Sequence, residues 1–348
     1  MNMNMKVFAL AVAAALAPLS AAHAQTANSR NRTAQTAVPA AQSQRQQVAL
    51  QSLPASDAVM TVDVRRLLDA LPRVFANDPA KLGRINDDIN DFKTRTGLDP
   101  RQFERVVIGA AFAQTASGAT KIEPVAIAHG AFNSGALVAA TRIAAAAQGK
   151  IAEQQHRGKS ISVFSLNQQV ALFNLRFTEL AVVALDTNTI AFGKLERVRA
   201  AIDAGMNSGA RASSETVALA MRDPNALVGI GGIIPANLTR NLDFLNPEIS
   251  RSIAAIRQFY GTVGVSETRF NLNTVFRTET PGAARTLGDT VEGLKQFAPA
   301  LISMQMTGER ARLSRTAVES TKIGVQGNEV QVSLDLAQED FSALLRVF

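Results

Sequence analysis

The chain has 348 residues, 47% hydrophobic and 19% charged, a globular balance that is long enough for two ordinary domains. It has no Cys, which excludes disulfides, thiolate catalysis, Cys-anchored haem, Cys-based metal sites and a lipid-modified N-terminal Cys. Having no Trp and a single Tyr (Tyr260), it lacks the flat aromatics of a sugar-binding or base-stacking surface, which argues against nucleic acid as a partner; the formal charge of +7 drops to +3 once the four cations Lys6, Arg30, Arg32 and Arg45 are set aside.

Lys6, the unbroken apolar run Val7–Ala17 and the small-x-small triplet Ala22-His23-Ala24 predict an export signal over 1–24, cleaved before Gln25. The run has 11 residues. About 20 are needed to span a bilayer as a helix, so no transmembrane segment is expected after cleavage. Residues 25–48 are rich in Gln, Ala, Ser and Thr without apolar periodicity and predict a disordered tail.

Val59–Val64 alternates as a first strand. Leu67, Leu68, Leu71, Val74 and Phe75 follow at helical spacing, with Pro72 expected to kink or break the helix. Asp78-Pro79 pairs an N-cap with a proline at the first helical position. Leu82, Ile85, Ile89 and Phe92 form one apolar stripe, and Gly97 closes that helix. Asp99-Pro100 opens a short turn carrying Phe103. Strands Val106–Phe112 and Pro124–Phe132 and an alanine-rich helix from Gly135 to Gln148 come next. The polar stretch Glu153–Lys159 reads as a helix end and turn. Strands near Ser160–Leu166, Val170–Phe177, Leu180–Leu185 and Thr189–Phe192 and a helix Leu195–Ala204 complete the first half.

Beyond Asn207–Ser214 the order recurs. Leu227–Ile234 is a strand, and Leu238, Leu242 and Leu245 mark a helix. Asn246-Pro247 opens another, with Ile249, Ile253, Ile256 and Phe259 as its stripe and Gly261 as its stop. The two Asx-Pro starts stand 168 residues apart, as do Val59 and Leu227. Thr280-Pro281 caps a helix with Leu287, Val291 and Leu294 facing inward. Asn328–Leu336 is the closing strand and Gln338–Leu345 the last helix, counterparts of Asn188–Phe192 and Leu195–Ala204. The expected class is α+β: two similar tandem domains, 49–210 and a degenerate repeat 211–348, each a mostly antiparallel sheet with helices packed on one face.

Candidate chemistry is sparse. His129, on an alternating strand, reads as a satisfied, partly buried histidine, and His156, in a polar turn, as solvated. No His-x-x-x-His or His-Glu-x-x-His spacing occurs. Asp87, Asp88 and Asp91 fall on the polar side of their helix and lack the glycine and distal Glu of a calcium loop. Asp57 and Asp63 flank the first strand, where strand-edge capping is preferred over a glycosidase-type carboxylate pair. Gly229-Ile230-Gly231-Gly232 resembles half a phosphate loop, but it lies inside an apolar strand, where a bulge or a close-packed helix explains it better. No catalytic, cofactor-binding or metal-ligating residue is assigned, and no cofactor is expected.

Leu53-Pro54-Ala55-Ser56-Asp57-Ala58-Val59, the segment Phe92–Asp99 and the turn Arg157-Gly158-Lys159-Ser160-Ile161 resemble exported bacterial proteins of the domain-of-unknown-function type, which carry two α+β repeats. The resemblance covers the first half of the mature chain and implies no substrate and no catalytic residue.

The expected function is a non-catalytic exported binding or scaffold protein of the bacterial periplasm or envelope, acting on an envelope protein or an anionic polymer. Two alternatives stay open. One is a hydrolase with a carboxylate- or serine-based site, which requires Asp57, Asp63 or His129 to converge. The other is a binder of anionic surfaces, lipopolysaccharide or nucleic acid, through Arg30, Arg32 and Arg45 in the tail and Arg310, Arg312 and Arg315.

Overall fold

In the computed structural model the described residues are 49–347, apart from 77, 97, 115–119, 147–150, 165–167, 171–174, 178, 236–246 and 267–268. The expected signal, the expected tail with Arg30, Arg32 and Arg45, the helix expected from Leu238, Leu242 and Leu245, and the stop expected at Gly97 therefore lie outside the described residues.

In chain order the elements are β1 (Ala58–Asp63), α1 (Val64–Val74), α2 (Pro79–Thr96), a 3-10 turn (Pro100–Gln102), β2 (Phe103–Gln114), β3 (Thr120–Gly130) and α3 (Ser134–Ala146). Next come β4 (Ile151–His156), β5 (Lys159–Phe164), β6 (Gln168–Val170), β7 (Leu175–Phe177), β8 (Leu180–Ala184), β9 (Thr189–Gly193), α4 (Leu195–Gly205) and α5 (Ser214–Ala220). The chain continues through β10 (Val228–Ile233), α6 (Pro247–Ala254), β11 (Ile256–Val265), β12 (Arg269–Thr278), α7 (Pro281–Gln305), α8 (Gly308–Glu319), β13 (Thr321–Gln326), β14 (Glu329–Ala337) and α9 (Gln338–Val347).

The class is α+β with a large antiparallel sheet. Among the described residues twelve strands join one sheet in the order β13-β14-β12-β11-β10-β1-β2-β3-β9-β8-β5-β4, while β6 and β7 pair separately. The two halves of the chain meet where β1 pairs antiparallel with β10, Val59 opposite Gly231. One cross-strand row can be followed through all twelve: Ala152, Val163, Ala181, Gly193, Val125, Gly109, Val59, Gly231, Tyr260, Val275, Gln331 and Gly324. Directly opposed residues share a face, so this row shows how one face changes across the molecule.

In the first half both faces are buried. Val107, Val125, Ile127, Val163, Ala181, Val183 and Ala191 pack with Val198, Ala201 and Ile202 of α4 and Ala220 of α5. Their strand neighbours Val106, Ala126, Ala128, Val182 and Ile190 pack on the other side with Leu98, Phe132 and Leu137. The expectation of helices on one face is corrected here: strands with consecutive apolar residues have no polar face to give to water. In the outer second half α6 and α7 cover one face, with Phe276, Leu287, Val291, Val330 and Val332 in its core. The opposite face carries Asn271, Asn273, Arg277, Glu329, Gln331 and Ser333. The two C-terminal helices of the halves also differ. α4 lies on the Ile127 side of the sheet. α9 packs on α8 and α1, and its Phe341 stacks at 3.7 Å on Phe270, which is opposite the buried Leu336.

Capping follows the sequence. Asp63 Oδ1 accepts from Arg66 N at 3.0 Å to start α1, and Thr280 Oγ1 accepts from Ala283 N at 3.1 Å to start α7, with Pro281 in its first turn. α1 passes through Pro72 and ends two residues later at Val74, with Phe75 as its C-cap, so the expected break is displaced to the helix end. Two other assignments are overturned. Ile256, Phe259 and Gly261 belong to β11 rather than to the helix from Pro247, which stops at Ala254. Their helical spacing loses to a β-branched and aromatic run flanked by β10 and β12. Glu153–His156 is strand β4, because Arg157 (φ 50°) and Gly158 (φ 76°) form the left-handed two-residue turn that closes a β-hairpin.

Gly229 and Gly231 explain the glycine-rich strand. A Cβ on Gly231 would stand 2.4 Å from Ala220 N and 2.5 Å from Leu219 C, and one on Gly229 2.1 Å from Ala220 O. Helix α5 rests on bare strand backbone, the close-packing reading rather than a phosphate loop.

Candidate functional site

A cavity of about 600 Å³ opens on the α1/α2 side of the sheet, lined by residues from five segments. From α1 come Arg65, Leu68, Asp69, Leu71 and Pro72; from α2, Leu82 and Asn86. The 3-10 turn adds Arg101 and Gln102, β2 adds Phe103 and Glu104, and Ala131 follows β3. Its volume lies within the range of small-molecule sites, about 300–1,000 Å³. Leu68, Leu71, Pro72, Leu82 and Phe103 supply an apolar lining, and two arginines and two carboxylates supply polar groups.

Arg101 is held by the local sequence. Asp99 caps the turn through Arg101 N at 3.0 Å, and its other carboxylate oxygen pairs with Lys93 at 2.9 Å. Burial alone would raise the Asp99 carboxyl; the Lys93 ammonium and the Arg101 amide outweigh it and hold the group below its ordinary range. The Arg101 guanidinium donates to Asn90 Oδ1 at 2.8 Å and Asn86 Oδ1 at 3.3 Å. Both acceptors are neutral amides, and Nη1 also stands 3.9 Å from Asp99 Oδ1, a carboxylate shared with Lys93, so the planar donor fork is held at the cavity wall with its charge offset only in part.

The residues singled out from sequence do not meet in this cavity. Asp57 Oδ2 accepts from Phe112 N at 2.7 Å. Asp63 caps α1 and pairs with Arg105 at 3.5 Å. The two aspartates mark opposite ends of β1, about 20 Å apart at 3.3 Å per residue. Asp63, Arg105, His129 and Thr189 do share one row over four strands. Arg105 stands between the carboxylate and the imidazole, and His129 Nδ1 lies 3.2 Å from Thr189 Oγ1. That arrangement ties strands together and leaves no carboxylate–histidine contact. His156 is not simply solvated: its Nε2 lies 3.0 Å from Asp203 Oδ1 on α4, which Arg157 Nε also reaches at 3.3 Å. Asp87, Asp88 and Asp91 are exposed on α2. Arg310, Arg312 and Arg315 are exposed on α8, where helical spacing puts Arg312 and Arg315 on one side and Arg310 on another. Tyr260 is 7% exposed, lies under the Arg222 guanidinium at 4.4 Å and donates to Glu329 at 3.2 Å. Among the described residues no group of three or more His, Asp or Glu is placed to hold a metal ion.

The cavity was missed because its walls come from residues 65–131 with ordinary spacing. The one local signal was Asp99-Pro100-Arg101, a capped turn that fixes an arginine beside the second helix.

No family model and no curated protein matches the chain. Among solved structures it is similar to crystal form III of TP0453, 10% identical with a TM-score of 0.44 over 86% of this chain and 98% of that one. Crystal form I of the same protein gives 10% identity and a TM-score of 0.43, covering 86% and 96%. At that level of likeness no ligand or activity passes from them to this chain. Among the described residues no helix is long and apolar enough to cross a membrane.

Proposed function

We propose that this is a non-catalytic exported protein of the periplasm or envelope, released by cleavage between Ala24 and Gln25, that works by binding. Its ligand is taken to be a small molecule with an apolar body and an acidic group, seated between α1, α2 and β2. The observation that carries this reading is the cavity of about 600 Å³ with an apolar lining and the Arg101 fork on its wall. It is supported by the commitment of Asp57, Asp63, His129 and His156 to backbone amides, Arg105, Thr189 and Asp203. The same reading takes 49–210 and 211–348 as a degenerate tandem repeat. In its favour, β2, β3, β9 and β8 run outward from the β1/β10 seam on one side in the order that β11, β12, β14 and β13 follow on the other.

The test uses anilinonaphthalene sulfonate, an aromatic anion whose fluorescence rises on leaving water. The wild-type chain is expected to bind it saturably at one site, and Arg65→Ala/Arg101→Ala to weaken binding about tenfold, the loss of one to two charge-assisted contacts. Equal binding by wild type and variant sinks the cavity assignment. Turnover of a chromogenic ester that disappears in His129→Ala would replace the binding reading with the hydrolase.

A further inference from the structure

The second half exposes an apolar stripe away from the cavity between α1, α2 and β2. On α7, Phe297 is 69% exposed, Leu301 53% and Met304 83%. Spaced at i, i+4 and i+7, they lie one above another on one face. From Gln296 to Gly308 the chain carries no charge at all. Gly308 (φ 65°) then turns the chain into α8, where Arg312 and Arg315 share one side. Arg315 Nη2 donates to Ser303 Oγ at 3.3 Å, which places its guanidinium beside the stripe, one residue from Met304. α8 also carries Arg310 against Glu309 and Glu319, so its balance stays positive.

We propose that the α7–α8 hairpin docks on an anionic phospholipid surface, with Phe297, Leu301 and Met304 entering the headgroup–acyl boundary and Arg312 and Arg315 meeting lipid phosphates. Two arguments select this occupant over a second copy of the chain. The three exposed side chains offer on the order of 400 Å² of apolar surface, about half of the roughly 800 Å² per partner that a stable protein interface buries. A helix lying in a membrane interface needs only a shallow apolar face with cations beside it, and this one has both. The stripe extends about 10 Å along α7, at 1.5 Å per residue, the geometry of a helix lying flat rather than one crossing.

The experiment is co-sedimentation of the full-length chain with vesicles of phosphatidylglycerol and phosphatidylethanolamine, against vesicles of phosphatidylcholine alone. Wild type is expected in the pellet with the anionic vesicles and to leave it as salt is raised. Phe297→Ser/Met304→Ser and Arg312→Glu/Arg315→Glu are each expected to weaken vesicle binding about tenfold or more. All of these chains share the N-terminal apolar run, so the difference between them reads the hairpin alone. Both variants should keep the wild-type melting transition, because the substituted side chains are exposed. Equal pelleting of wild type and both variants overturns the proposal. So does light scattering that shows a wild-type dimer split by Phe297→Ser/Met304→Ser, which would assign the stripe to a second copy.

Discussion

The same face of one sheet behaves differently in the two halves of the chain. Over β2, β3 and β9 it carries Val107, Val125, Ile127 and Ala191 and is sealed by α4 and α5. Over β12 and β14 it carries Asn271, Asn273, Gln331 and Ser333, and among the described residues its apolar cluster is limited to Val275 and Tyr260 under Leu219 of α5. A repeat of strand order therefore does not repeat the layers. Helix α4 stays on the greasy side of its half, whereas α9 sits on the opposite side of the sheet against α8 and α1. Which helix covers a strand is decided by every second side chain of that strand, and that alternation differs between the halves.

The largest expected effect follows from that contrast. Ile127→Ala, at a position with no exposure, should cost about 3–4 kcal/mol in urea unfolding, while Asn273→Ala stays within about 0.5 kcal/mol. Similar losses at both sites would break the comparison. Next are the glycines of the shared row. Gly231→Ala drives a Cβ into α5 backbone and should cost about 1–3 kcal/mol, whereas Gly324→Ala meets nothing within 4 Å and should leave the midpoint unchanged or slightly raised.

The smallest effect concerns acid. The Asp99 carboxyl titrates lower in the folded chain than its ordinary value near 4, so the unfolded chain binds the extra proton in that interval. Its contribution is full above that ordinary value and is lost as pH falls through the lower folded one. Lys93→Ala should remove part of it, about 1 kcal/mol at neutral pH, and flatten the acid limb of the stability profile in urea titrations at successive pH values.

Much of the fold was legible because its signals are local. Asp-Pro and Thr-Pro starts, strict alternation in β1 and β14, and the apolar stripes of α4 and α7 depend on neighbours a few residues away. The failures needed distant information. Ile249, Ile253, Ile256 and Phe259 fit a helix in one dimension, and only pairing with β10 and β12 turns the last two into strand. His156 read as solvated because its partner, Asp203, is 47 residues downstream. The candidate cavity was illegible for the same reason: Arg65, Asn86, Arg101 and Ala131 have no mutual spacing until the sheet brings α1 and α2 over β2. The apolar stripe on α7 was missed differently, since Phe297 and Met304 look like core until exposure is known.

The seam at β1 and β10 sets how this polypeptide tolerates being divided. β1 is hydrogen-bonded to β2 along one flank and to β10 along the other, so it is interior to the sheet although it opens the first half. A nick in the exposed stretch around Ser208 would leave two fragments clasped by a full ladder of main-chain bonds. Either fragment made alone would present Val59 or Gly231 on a naked flank, an invitation to stack on itself. The halves are thus better regarded as mutual caps than as separable modules.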